Sequence, residues 1–197
     1  MLMDAIDQRR IEHAERTILK GVETIGGDPN NGYYWVWSGH MLKAATLLKY
    51  DPEQSAAIIR ALVNETIRHF RATEAVIGPS RQNELMLLGV LSGDVEGAKK
   101  VGELTVSVES AHPFDVVLNQ KLRRALGVKA LDRSAAYEAS PSEVGFFSDI
   151  DRVANGEATD LSDTDKFWKV TRKKRYGNTI FGQANIFRDV LEKLQRI

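Results

Sequence analysis

The apolar residues of this chain recur every three or four positions in each long segment, which is the spacing of one face of an α-helix. In the first segment, residues 2–25, the apolar positions are Ile11, Ala14, Ile18, Val22 and Ile25. The last segment, 179–196, carries the same spacing at Ile180, Ala184, Phe187, Leu191 and Leu194. Segments 33–50 and 52–75 follow it too, and no stretch alternates long enough to predict a strand. The pattern predicts an all-α protein of about nine or ten helices.

Three segments in the middle of the chain begin with a proline and end with a glycine. The prolines are Pro79, Pro113 and Pro141, and the glycines are Gly93, Gly127 and Gly156. Proline suits the first turn of a helix, and glycine suits the left-handed residue that ends one. Nine and twelve residues after the prolines stand Leu88, Leu122, Ile150, Leu91, Ala125 and Val153. We predict that all of these except Ala125 are buried and lie on facing helices.

Each of these units is followed by a further helical pattern, over residues 94–107, 128–139 and 163–176. The prolines lie 34 and 28 residues apart, which indicates stacked antiparallel helix pairs, as in helical-repeat scaffolds. The alternative is three ordinary helices of similar length in an irregular bundle. We predict a single domain over 1–197, with N-terminal helices in 1–76, the three units in 79–160 and C-terminal helices in 162–197.

Composition narrows the function classes. Lys plus Arg and Asp plus Glu both number 27, and this balance disfavours a dedicated nucleic-acid binder. The chain has no cysteine, which excludes disulfides, thiolate metal sites and cysteine nucleophiles. The first residues lack the apolar run of a signal peptide, and no segment is apolar over a membrane-spanning length. We therefore expect a cytoplasmic protein.

No catalytic signature stands out. The chain contains no G-x-S-x-G, Walker loop or H-E-x-x-H, and no histidine follows an arginine at the spacing of HEPN-type ribonucleases. Glu65 and His69 have the i, i+4 spacing, which we interpret as a surface ion pair because a metal site needs further ligands. We expect no enzymatic activity, no cofactor and no metal.

Aromatic residues cluster near the start of the second helical segment. Trp37 falls in line with Tyr33, Met41, Ala44 and Leu48, and we predict that these five point inward. Tyr34 and Trp35 then point elsewhere, and exposed aromatic side chains are typical anchors of protein interfaces. The alternatives are that neighbouring helices cover them, or that they form a self-interface in a phage or structural assembly subunit.

Charge is unevenly distributed toward the C-terminus. Residues 132–165 contain nine acidic and two basic side chains, and we predict that Asp149, Asp151 and Glu157 contact a basic protein partner. Residues 166–175 contain six basic side chains and no acidic one. Phe167, Trp168 and Tyr176 interleave with these cations. This segment supports an alternative, nucleic-acid contact through Lys169, Arg172, Lys173 and Arg175.

The phrase LGVLSGDVEGAKKVGEL, with its echo DIDRVANGEATDL, resembles the helix–Gly-Asp–helix phrase of all-helical bacterial immunity proteins. The resemblance covers about residues 80–165. Its elements are Leu91, Gly93, Asp94, Ala98 and Leu104. It implies a small cytoplasmic protein that binds and neutralises a cognate toxin without catalysis, and it marks no functional residue. Together with the acidic residues, it leads us to expect a basic toxin as the partner.

Overall fold

The computed structural model describes residues 8–25, 29–48, 50–131, 137–171 and 186–196. Within these ranges the chain forms nine helices, packed against each other, and no strand. A single isolated bridge pairs Ile77 with Val106. The predicted all-α fold of about nine helices is confirmed.

The first three helices pack together as α1, Gln8–Ile25, α2, Pro29–Leu47, and α3, Pro52–Thr73. Helix α2 begins four residues before its predicted start, because Pro29 suits a first helical turn. The start of α3 is fixed by the Asp51 carboxylate, which accepts a hydrogen bond of 3.0 Å from the backbone N–H of Gln54. The predicted inward stripe of α1 is buried at Ile11, Ala14 and Ile18.

The three proline-to-glycine units form helices α4, Pro79–Ser92, α6, Pro113–Ala125, and α7, Pro141–Ala154. Each helix begins at its proline, and the glycine that follows has the predicted left-handed φ, at 85° for Gly93, 69° for Gly127 and 74° for Gly156. The start of α7 carries the capping box expected from its sequence, between Ser140 and Glu143. The frame of all three helices is therefore confirmed.

The helices that follow these units are less regular than predicted. Helix α5, Val95–Gly102, ends well before residue 107, because residues 105–107 run beside Ile77 with hydrogen bonds of 2.9 and 3.1 Å. Residues 128–131 and 137–140 are not helical, so the predicted helix over 128–139 is wrong in its described part. The third unit is followed by the helix α8, Ser162–Thr171, and residues 172–176 of its predicted partner helix lie outside the described part of the structure. An irregular bundle describes this arrangement better than stacked pairs.

Helix α4 lies at the centre of the molecule. It packs against α3, α5, α6 and the last described helix, α9, Ile186–Leu194. Its side chains are buried almost all round, as expected for a helix with neighbours on every side. The prediction that equivalent apolar positions are buried is confirmed for Leu88, Leu91, Leu122, Ile150 and Val153. These five residues lie on α4, α6 and α7. Because α6 packs between α4 and α7, the helices that carry them are neighbours.

An aromatic cluster fills the space between α6, α7, α8 and α9. The Phe146 ring stacks on the Phe167 ring with centroids 4.6 Å apart, and the Trp168 ring stacks on Phe187 at 4.5 Å. Phe114 joins from α6 at 5.7 Å from Phe167. This cluster is continuous with the apolar core that extends from Ala14 to Leu194.

Candidate protein-binding surface

The predicted aromatic anchors Tyr34 and Trp35 lie on α2, but their side chains, like that of Tyr33, are outside the described part of the structure. Farther along α2, Trp37 is 2% exposed, and Met41 and Ala44 are buried. The predicted inward face of α2 is thus confirmed at these three positions, and Leu48 is half-buried.

Asp149 is not a surface residue. It is 3% exposed, and its carboxylate accepts hydrogen bonds from the Thr164 N–H at 2.9 Å, the Thr164 hydroxyl at 2.8 Å and the Thr159 hydroxyl at 3.1 Å. These bonds attach the start of α8 to α7. The predicted place of Asp149 on an exposed partner surface is corrected, because its oxygens point into the fold.

Four of the other acidic residues of 132–165 pair with cations. Asp151 pairs with Lys121 of α6, and Glu157 pairs with Arg152 at 4.0 Å. The remaining pairs within the described residues are Asp163 with Lys166 and Asp165 with Arg188. The acidic stretch therefore contributes a mixed-charge surface, which gives a basic partner less electrostatic attraction than the sequence indicates.

The basic segment also differs from the sequence interpretation. Phe167 is buried, and Trp168 packs in the aromatic cluster, so neither ring is placed to stack on a base. Lys166 pairs with Asp163 at 2.9 Å, while Lys169 is exposed. Three further predicted nucleic-acid contacts, Arg172, Lys173 and Arg175, lie outside the described residues, as does Tyr176.

The Gly-Asp phrase that carries the resemblance to immunity proteins forms the α4–α5 hairpin. The buried Asp94 carboxylate accepts a hydrogen bond of 3.1 Å from the Gly97 N–H at the start of α5 and pairs with Arg60 at 2.9 Å. A Cβ on Gly89 would come within 2.9 Å of the Ala98 Cβ, so this glycine lets α4 and α5 approach closely. Gly89 and Asp94 of this phrase therefore stabilise the packing of α4 against α5.

A buried polar network, which the sequence did not predict, joins α4, α5 and α6. The Gln82 side-chain amide donates to the Val101 and Leu104 carbonyls at 2.7 and 3.2 Å. Its oxygen accepts from Asn119 at 2.8 Å, and Arg123 donates to the Leu104 carbonyl at 3.1 Å. These bonds satisfy carbonyls at and beyond the C-terminal end of α5, where the helix leaves them unpaired.

Glu84 on α4 is an acidic residue with a strongly raised pKa. Burial raises the pKa of the Glu84 carboxyl to about 7, with a further contribution from the Asp115 carboxylate and opposition from Arg81. The Arg81 guanidinium donates to Glu84 at 3.1 Å and to the Ser38 hydroxyl at 2.8 Å. This group links α4 to α2 beneath the surface.

Glu65 and His69 do not form the predicted surface ion pair. Glu65 is buried and pairs with Arg68, and the His69 ring packs edge-on against Trp37 with centroids 6.0 Å apart. Among the described residues, no group of three His, Cys, Asp or Glu side chains comes together in a geometry that could hold a metal ion.

One open feature of the described surface is a groove of about 530 Å³ between α1 and α2. Helix α1 contributes Thr17, Lys20, Gly21 and Thr24. Helix α2 contributes Val36, Gly39, His40 and Lys43. Each set has the spacing i, i+3, i+4, i+7, so the groove runs along one face of both helices for about two turns. A smaller depression of about 390 Å³ lies at the ends of α3 and α5, where Arg71 and Glu103 face each other at 3.9 Å.

The α1–α2 groove is basic. None of its described lining residues is acidic, and Lys20 and Lys43 make no ion pair with any residue that the structure describes. Burial and then the Lys43 ammonium lower the pKa of His40. The groove therefore presents two uncompensated ammonium groups and a histidine that an added negative charge would favour in its protonated form.

None of the helices in the described part of the chain is long and apolar enough to cross a membrane. Searches of protein-family models, curated proteins and solved structures found no match to this chain.

Proposed function

We propose that this protein is a non-catalytic, cytoplasmic protein-binding module, and specifically an immunity protein that neutralises a cognate toxin by covering its active site. The observation that carries the binding role is the open groove between α1 and α2. Its length of about two helical turns suits a segment of another protein chain, and so do its two lysines, which form no ion pair with any described residue.

The buried polar groups support binding over chemistry, because the fold already uses them. Asp94 and Asp149 hold the starts of α5 and α8, and Gln82 and Arg123 hold the end of α5. Breaking these hydrogen bonds would destabilise the fold, because leaving a buried polar group without a partner costs about 1–3 kcal/mol of folding free energy. They stabilise a rigid scaffold on which a binding face is presented.

The toxin as partner rests on the resemblance over residues 80–165. Because that phrase builds the α4–α5 hairpin, the resemblance supports the scaffold and does not mark the partner surface. Four carboxylates of 132–165 are paired with cations, so this stretch is a weaker candidate for the docking surface than the groove is. We therefore place the main docking surface on α1 and α2.

The proposal is tested first by looking for a toxin gene next to the gene for this protein, and then by titrating the product of that gene with this protein. A binding protein without turnover should reduce toxin activity in proportion to its amount and abolish it at a one-to-one molar ratio. The measurement is residual toxin activity against added protein, with the complex sized by light scattering. Complete inactivation at a small fraction of that ratio would show an enzymatic mechanism, and no inactivation at excess would reject the toxin as partner.

A further inference from the structure

We infer that the α1–α2 groove binds an acidic amphipathic helix of the partner protein. This inference rests on the proposed function, and it names the chemistry of the segment that the groove accepts. Three features of the groove support it: its shape, a glycine without a packing role and its charge.

The shape suits a helix. Helices α1 and α2 each pack against α3, and the groove lies on a different face of α1 from the buried residues Ile11, Ala14 and Ile18. Two packed helices that are covered on one side leave a groove between them on the other. A helix docked there would complete a four-helix arrangement with α1, α2 and α3.

Gly39 marks where the occupant approaches the backbone. A Cβ at Gly39 would meet no atom within 4 Å, whereas a Cβ at Gly21 would come within 3.2 Å of Val36. Glycine inside a helix is less stable than alanine, because it loses more backbone freedom on folding. Packing within the chain thus explains Gly21 but leaves Gly39 unexplained, and close contact with a docked backbone accounts for it.

The charge selects an acidic occupant. Lys20 on one helix and Lys43 on the other can both reach a helix lying between them, and neither has a carboxylate partner among the described residues. The hydroxyls of Thr17 and Thr24 donate to carbonyls of their own helix. Val36 supplies an apolar floor. An amphipathic helix with an apolar face and flanking glutamates complements this set.

The test uses a fluorescein-labelled peptide of about 14 residues, a length that can form a helix on binding. It carries leucine and alanine on one face and glutamate on both flanks, and a second peptide has lysine in place of every glutamate. Fluorescence anisotropy should show saturable binding of the acidic peptide and none of the basic one. Failure of the acidic peptide to saturate, or equal binding of both, would overturn the inference.

Two variants locate the binding. Gly39→Trp should lower the affinity for the acidic peptide at least about tenfold, because the new side chain occupies the groove. The double substitution Lys20→Glu, Lys43→Glu should make the protein prefer the basic peptide. The controls are Gly78→Trp, at another open glycine, and Lys100→Glu, at an exposed lysine of α5. Circular dichroism checks that all variants keep their helical content.

These outcomes are separable from those of the toxin titration. If Gly39→Trp and the two lysine substitutions leave peptide binding unchanged, the groove is not the peptide-binding site. That result leaves toxin neutralisation untouched. Groove binding together with a failed titration rejects the toxin and retains the groove. Neutralisation that persists in Gly39→Trp would place the toxin on another surface and contradict the inference.

Discussion

Replacing Phe167 by alanine is expected to lower the free energy of unfolding by about 3–5 kcal/mol, the cost of removing a buried aromatic ring. Phe167 is 1% exposed, and its ring centroid lies 4.6 Å from that of Phe146 and 4.9 Å from that of Trp168. Urea denaturation followed by circular dichroism measures the change.

The control for this substitution is Val170→Ala on the same helix. Val170 is 58% exposed, so its truncation should change stability by no more than about 0.5 kcal/mol. A loss below about 1 kcal/mol for Phe167→Ala would place this ring outside the core. It would then be free to serve the nucleic-acid interaction that the basic segment suggested.

Glu84→Gln is expected to remove a pH dependence of stability of about 3 kcal/mol between pH 4.5 and pH 8. The folded state holds the proton of Glu84 up to about pH 7, whereas the ordinary pKa is 4.5. Between these values the folded state binds more protons than the unfolded state. Stability from this group is therefore present below pH 4.5 and is lost as the pH rises toward 7.

Denaturation midpoints of the wild type and Glu84→Gln at the two pH values measure this effect. The free energy of unfolding of the variant, relative to that of the wild type, should increase by about 3 kcal/mol as the pH rises from 4.5 to 8. The same difference at both pH values would show that the Glu84 carboxyl titrates as an exposed group. Glu96→Gln, which removes an exposed glutamate paired with Lys99, controls for the substitution and should change stability by less than about 0.5 kcal/mol.

The helices could be predicted from the sequence because the residues that start them, end them and form their buried faces lie within a few positions of one another. The prolines and glycines that bound α4, α6 and α7 act within one turn, and apolar spacing identified the buried faces. The end of α5 could not be predicted in this way. It depends on Gln82 and Arg123, which bind its carbonyls from two other helices.

The candidate site was predicted less well than the fold. Composition predicts Asp149 as a surface charge, whereas its spacing from Phe146, Ile150 and Val153 places it on the buried face of α7. That spacing was the available signal for a buried cap. The groove depends on which faces of α1 and α2 meet, and a local sign of it is that both helices contain glycines, among them Gly21 and Gly39.

The most direct test of the central claim, that α1 and α2 form the docking surface, is amide hydrogen exchange on the protein alone and in an equimolar mixture with the toxin that the titration identifies. A helix bound in the groove should slow exchange in residues 17–24 and 36–43, where the lining side chains lie. Exchange in residues 137–165, where the carboxylates are paired, should change little. Protection confined to 137–165, with the α1 and α2 segments unchanged, would contradict the account.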